Sequence, residues 1–283
     1  MEFIAVQLLN GLSWAMLLFL FTAGFTLIFG LMKLINLTHG SYYLFGAYVG
    51  ITSFALTRSF ILSIILGGIS IAILGLLMQR ILLKRYEESH DTQVLLTFGF
   101  ILFFSDLALT VWGGEPKTIP IPHLLERSMT LGTLIFPTYR LLIIVLGLLT
   151  AALLWWFLKS KYGMLLRAGI ENEEMTSGLG VNIALLKSLT FTGGALLAGM
   201  AGVIGSPIIG AYPGLDMQIL LLSLVIVIIG GMESIKGAFI GSLLVGLLDT
   251  FIKALLPTFS IFAIFFIMAA TLAIKPSGLF GSK

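Results

Sequence analysis

Apolar runs long enough to cross a bilayer constrain this chain more than any other feature. Phe3–Leu31 carries no formal charge, and Phe60–Leu83 and Tyr139–Leu158 carry one arginine each. About 20 such residues in helical form span the hydrocarbon. Water is missing there, so every backbone N–H and C=O must find a partner inside the protein, and a helix achieves this within one segment. Composition agrees: 58% of the 283 residues are hydrophobic and 10% are charged, against about 25% charged in a soluble domain. The expected fold is therefore all-α and integral to the membrane, a polytopic bundle of about 8–10 transmembrane helices.

Taken in order, the first run has no basic leader or small-residue cleavage site and reads as a retained span. Ile35-Asn-Leu-Thr-His-Gly-Ser-Tyr-Tyr-Leu-Phe-Gly-Ala-Tyr48 opens the second, which reaches about Thr57 and is the most polar of the set. Phe60–Leu83, Gln93–Trp112, Tyr139–Leu158, Ile183–Pro207, Met217–Gly231, Ala238–Leu256 and Phe259–Ile274 complete nine segments. Eight or ten remain open, as does one re-entrant segment. Residues 1–283 read as a single transmembrane domain with two substantial polar excursions. One is residues 113–138, whose Gly-Gly-Glu-Pro start and Ile-Pro-Ile-Pro run disfavour helix and predict an extended or hairpin-like cap. The other is a charged island, residues 159–187.

The island predicts a short helix over Ile170–Leu179. Glu171, Glu173 and Glu174 fall in its first turn, where carboxylates suit the positive end of the dipole. Gly178 and Gly180 supply the stop, and Asn182 is placed to cap the next span. Met175 and Leu179, four apart, share one face. Such a helix between two spans is positioned to dock on a partner; a solvated connecting loop is the alternative. Eleven of the 16 basic residues fall on one side when the spans alternate from an external N-terminus. Lys- and Arg-rich short loops stay cytoplasmic, so the island and the C-terminus are expected inside and the 113–138 loop outside. The basic residues sit at span ends, which points to lipid rather than nucleic acid.

Catalytic constellations are missing from the sequence. The three histidines lie in separate regions without HExxH spacing, which argues against a metal site. No cysteine is present, and neither GxSxG nor GxxxxGK[ST] occurs, so neither a nucleophile elbow nor a phosphate-binding loop is legible. The chain is not expected to be an enzyme, and any nucleotide must be bound elsewhere. Polar groups inside spans are the remaining markers. Asp106 has no local partner and is the better candidate for a pore or interhelix contact. Asp249 and Lys253, four apart with the acid first, read as a self-neutralising pair. Asn36, Thr38 and His39 line a polar path or bond a neighbouring helix; His39 is read as packing, because Gly40, Gly46 and Gly50 mark a close-contact helix. Gly194, Ala198 and Gly202 have the small-xxx-small spacing that lets helices approach in lipid. Gly30–Ile35 and Gly231–Ile235 form a short internal echo at two span junctions.

Thr26-Leu-Ile-Phe-Gly30, Ile35-Asn-Leu-Thr-His-Gly40 and Leu44-Phe-Gly-Ala-Tyr48 resemble the opening of branched-chain amino-acid ABC-importer permeases. Arg167–Met175 with Leu179–Asn182, Gly230–Ala238 and Pro276–Gly281 follow the same pattern in the same order, closer to the shorter LivH-like type than to its longer LivM-like companion. The resemblance implies a translocation subunit without cofactor, working with ATP-binding cassette subunits, a second, LivM-like permease and a periplasmic solute-binding protein in a bacterial inner membrane. It makes Glu171, Asn172, Glu174, Met175, Gly178, Leu179 and Gly180 the contacts to the ATP-binding subunit. Thr38, where the family often has alanine, and the less glycine-rich Met232-Glu-Ser leave open a solute other than leucine, isoleucine or valine. A permease for urea, amides, sugars or nucleosides shares the architecture. An ion-coupled secondary transporter needs ionisable groups mid-membrane, for which Asp106 alone is thin support.

Overall fold

The computed structural model describes residues 2–34, 36–86, 89–131 and 134–281. All nine expected segments are helical: α1 Glu2–Met32, α2 His39–Thr57, α3 Phe60–Ile81, α4 His90–Trp112, α5 Thr138–Lys159, α8 Ile183–Ile209, α9 Leu215–Gly230, α10 Ile235–Leu255 and α11 Ser260–Ile274. The island adds α6 Lys161–Glu171 and α7 Glu173–Gly178. Among the described residues six helices (α1, α3, α4, α5, α8 and α10) are long and apolar enough to cross a membrane alone; α9 and α11 are shorter.

The centre of the bundle is α2, packed against α8, α3, α9 and α4, with the Phe21 and Phe25 rings of α1 against its first turns. Its tyrosines Tyr42, Tyr43 and Tyr48 are fully buried. Glycine makes this enclosure possible. Gly46 lies against the backbone of Gly199, Gly24 against Gly194, and Gly202 against the Tyr43 carbonyl and the Ala47 nitrogen. Apolar side chains gain nothing by leaving lipid for another helix, so close backbone approach is what holds such pairs. The outer helices α3, α4, α5 and α11 turn Ile61, Leu95, Phe103, Leu149, Trp156 and Phe266 outward, a lipid-facing surface.

Two helices begin inside the bundle rather than at its rim. The His39 Nε2 pairs with the Phe21 carbonyl at 3.2 Å, and Phe21 lies 11 residues, about 17 Å, before the end of α1. The chain after α1 therefore turns back into the bundle before α2 starts. Gly40 meets the Asp216 carbonyl and Ser41 Oγ donates to Asp216 Oδ2 at 3.4 Å, so α9 begins beside the start of α2. From there the two run in opposite senses: α2 lies parallel to α8 (Gly46 at Gly199, Gly50 at Val203), while α9 pairs antiparallel with α10 (Gly230 at Gly237, Ile226 at Gly241). The order long, short, long in α1–α3 recurs with inverted sense in α8–α10, and α1 crosses α8 antiparallel at Gly24 and Gly194. The echo of Gly30–Ile35 with Gly231–Ile235 is not this repeat. The first junction dives to the start of α2, the second is a tight turn at Gly231 (φ +104°), and Ile35 lies outside the described residues.

The 113–138 loop folds as expected into a hairpin, β1 Ser128–Leu131 and β2 Leu134–Pro137, in antiparallel register with Met129 opposite Phe136. It seals one end of the bundle: Lys117 and Ala211 exchange backbone hydrogen bonds of 2.9 and 2.7 Å, and buried Ile119 donates its N–H to Ser206 Oγ. At the other end, the terminal Pro276–Gly281 segment folds back. Leu279 and Phe280 N–H groups donate to the Ile229 and Gly230 carbonyls at 2.8 and 2.9 Å, satisfying acceptors that the end of α9 leaves open.

Gly202→Val should be among the most damaging single changes, since a Cβ there also comes 2.8 Å from the Ala47 nitrogen. Overpacking against backbone costs about 1–3 kcal/mol or more. Heating the detergent-solubilised protein and following its monodisperse fraction should show a clear downward shift for Gly202→Val and none for Gly99→Ala, where nothing lies within 4 Å.

Candidate coupling surface and polar centre

The island is built from helix caps. Ser160 Oγ accepts from the Gly163 N–H at the start of α6. Asn172 Oδ1 accepts from the Met175 N–H at 2.8 Å at the start of α7, and Asn182 Oδ1 from the Leu185 N–H at 2.9 Å at the start of α8. The expected single helix over Ile170–Leu179 is corrected by Asn172. Its extended backbone (φ −152°) breaks the run, so Glu171 ends α6 while Glu173 and Glu174 open α7. A side chain that rewards an N-cap so well competes with continuing the helix. The stop falls as expected: α7 closes at Gly178, and Gly180 takes φ +83°.

Exposure divides the island. Met175 is 69% and Leu179 79% exposed, and Glu171, Asn172, Glu174, Gly178 and Gly180 are exposed beside them. Underneath, Thr176 is buried with its hydroxyl on the Asn172 carbonyl at 2.8 Å. Glu173 Oε2 accepts from Lys187 Nζ at 2.7 Å, which ties α7 to α8. Gly169 of α6 rests on Ile183 of α8, and the Arg167 guanidinium donates to the Leu158 carbonyl at 2.7 Å. All seven expected contact residues are thus exposed on a two-helix island that rests on α5, α8 and α1; Glu171 also lines a cavity with Lys33 and Arg167.

The polar candidates sort differently. Asn36, Thr38 and His39 sit together at the buried start of α2. Asn36 Oδ1 accepts from the Thr38 N–H at 3.1 Å, and Thr38 Oγ1 donates to the Thr97 carbonyl of α4 at 3.1 Å. His39 packs among Phe21, Phe25 and Tyr42, as its glycine-rich helix implied. Asp106 does not join them; it is exposed on the outer side of α4 among Leu102, Phe103 and Leu109. Asp249 and Lys253 form the expected pair, 2.6 Å apart.

Sequence reasoning missed two features. Asp216 is buried at the start of α9 against Ser41. Asn10, Ser13, Trp14, Arg140 and Asp249 line one cavity at the N-terminal end of α1. Its signal was the three- and four-residue spacing of Gln7, Asn10 and Ser13/Trp14 within a run that otherwise counts as apolar. Among the described residues no cluster of three metal-ligating side chains occurs.

A polytopic helical membrane protein with a projecting helical island is the class this architecture defines. Residues 7–273 match the family described as branched-chain amino acid transport system / permease component, and the chain belongs to that family. It is 26% identical to the high-affinity branched-chain amino acid transport permease protein LivH of Escherichia coli, over 97% of this chain and 94% of that protein. BraD of Pseudomonas aeruginosa, named likewise a high-affinity branched-chain amino acid transport permease, is 26% identical over 87% of this chain and 85% of its own. A probable LivH of Methanocaldococcus jannaschii is 25% identical over 96% and 91%. No solved structure matches.

Asn172→Ala removes the α7 cap, worth about 1 kcal/mol. Hydrogen–deuterium exchange of the purified protein should show several-fold faster exchange confined to Glu173–Gly178, with α8 unchanged; uniform exchange across both would contradict the capping role.

Proposed function

We propose that this chain is the non-catalytic translocation subunit of an ATP-driven importer. It moves branched-chain or other hydrophobic amino acids, delivered by a periplasmic solute-binding protein, into the cytoplasm. Its partners in the inner membrane are a second, LivM-like permease and two ATP-binding cassette subunits, which bind the ATP; the chain itself needs no cofactor. The N-terminus and the 113–138 hairpin face outside, and the island and C-terminus face the cytoplasm, in keeping with the excess of Lys and Arg on that side.

The observation that carries this reading is the island surface. Two exposed apolar side chains, Met175 and Leu179, project beside Glu171 and Glu174 from a pair of short helices anchored to α8 by the Glu173–Lys187 pair. Isolated in water such a surface has no purpose; against an ATP-binding subunit it is a contact. The link inward is stiff. A push on α7 reaches α8, and α8 meets α1, α2 and α3 through Gly194, Gly202 and Gly199, where side chains are too small to cushion a shift. ATP biases the pore only through contacts that differ between its two states, and this surface is where such contacts form.

Gly180→Asp tests the role. Apart from its immediate chain neighbours, nothing lies within 4 Å of the Gly180 Cβ position, so the substitution acts through its positive φ and added charge rather than through a clash. Membrane insertion should stay normal while solute-stimulated ATP hydrolysis of the complex falls about tenfold, equivalent to ~1.4 kcal/mol. Leu179→Glu should also reduce co-purification of the ATP-binding subunits. Normal stimulated hydrolysis in both variants would refute the docking role.

A further inference from the structure

One groove on α1, flanked by α5 and α10, holds a cavity at each end. The cavity at the N-terminal end of α1 has a volume of about 430 Å³, within the roughly 300–1,000 Å³ of small-molecule sites. Gln7, Asn10, Ser13 and Trp14 of α1, Arg140 of α5, and Asp249, Thr250 and Lys253 of α10 supply its polar lining, and Leu17, Ile208 and Ala254 its apolar one. The second, about 940 Å³, opens at the other end between Thr26, Lys33, Trp155, Arg167 and Phe239. Between them the groove is pinched shut: Met16 fills the space at Gly147, Ala15 packs on Gly246, and the Phe19 and Phe239 rings meet edge to face at 5.1 Å.

The first cavity contains unspent hydrogen-bonding capacity of both signs. The Asp249 side chain is 4% exposed, and Lys253 engages only Oδ2; Oδ1 has no partner, and neither has the Trp14 Nε1–H. Arg140 gives one Nη1–H to Asn10 Oδ1, and a guanidinium has five N–H donors in all. Self-neutralisation of Asp249 by Lys253 accounts for one carboxylate oxygen and leaves the other, with the indole N–H, bare in a place where bare polar groups are costly.

We infer that this cavity is an entry site for an α-amino acid zwitterion, with the ammonium donating to Asp249 Oδ1, the carboxylate accepting from Arg140 and the Trp14 indole, and the aliphatic side chain on Leu17 and Ile208. The groove is then this chain's part of the solute pathway, closed at Met16–Gly147 and Ala15–Gly246 in this state and continued by the larger cavity. Cavities on either side of a closed waist are what alternating access requires. The inference rests on the importer reading and names the pathway within it.

The chain has no cysteine, so Ser13→Cys creates a single thiol in the lining. The variant is assembled with its partner subunits in phosphatidylglycerol proteoliposomes, ATP inside, and treated from outside with a membrane-impermeant maleimide. The thiol should be labelled, and leucine delivered by the solute-binding protein should slow labelling about tenfold. Arg140→Gln and Trp14→Phe, which leave the Asp249–Lys253 pair intact, should each abolish most of that protection; Asp249→Asn should do so while Lys253→Gln retains it. Absence of labelling, or labelling indifferent to leucine in a transporter that imports leucine, overturns the site. Protection by added phosphatidylethanolamine without leucine assigns the cavity to a lipid headgroup and also overturns it. A wild-type complex that imports no leucine with ATP sinks the importer reading itself, and this inference with it.

Discussion

Backbone-to-backbone approach through glycine is the constraint on which this bundle depends. In lipid, apolar burial does not distinguish a helix neighbour from an acyl chain, so association rests on packing and on polar contacts between helices. Gly24 at Gly194, Gly46 at Gly199, and Gly230 at Gly237 bring main chains together where a Cβ does not fit. That closeness lets α2, with three fully buried tyrosines, run through the middle. It also makes α8 a shared wall for α1, α2 and α3, and hence the element through which anything bound to the island is felt by the rest.

The inverted order of α1–α3 and α8–α10 gives the centre its polarity. Helices α2 and α9 start side by side within the bundle, so their unpaired N–H groups meet buried Asn36, Thr38, Ser41 and Asp216 rather than hydrocarbon. Irregular backbone at membrane depth is tolerated where protein surrounds it, and here the surrounding helices supply that shelter. The most polar stretch of the sequence thus serves the fold first. The groove along α1 is a separate, more open feature.

Six of the helices were legible because apolar length alone marks them in a membrane chain, α2, α9 and α11 because apolar runs between polar junctions still show as segments, and the caps at Asn182 and the stop at Gly180 because their chemistry is local. Position within the bundle was not. Apolar length places α2 as an ordinary span, since nothing local to Ile35–His39 tells a helix that starts at the rim from one that starts beside Phe21. Asp106 and Asp249 look alike as single acids in apolar runs, yet one faces outward from α4 and the other is buried beside Trp14; only the helix rotation set by neighbours separates them. Asn172 split the island because capping α7 competes with extending α6. The polar face of α1 hid within a run whose average is strongly apolar.

ATP-dependent uptake by the reconstituted complex tests the account most directly. This chain, its partner permease and the ATP-binding subunits are placed in proteoliposomes with the solute-binding protein outside, and radiolabelled leucine is followed with and without internal ATP. The account predicts accumulation that needs ATP and binding protein together and is indifferent to collapse of the proton gradient. Accumulation by this chain alone, driven by the gradient without ATP, would contradict it.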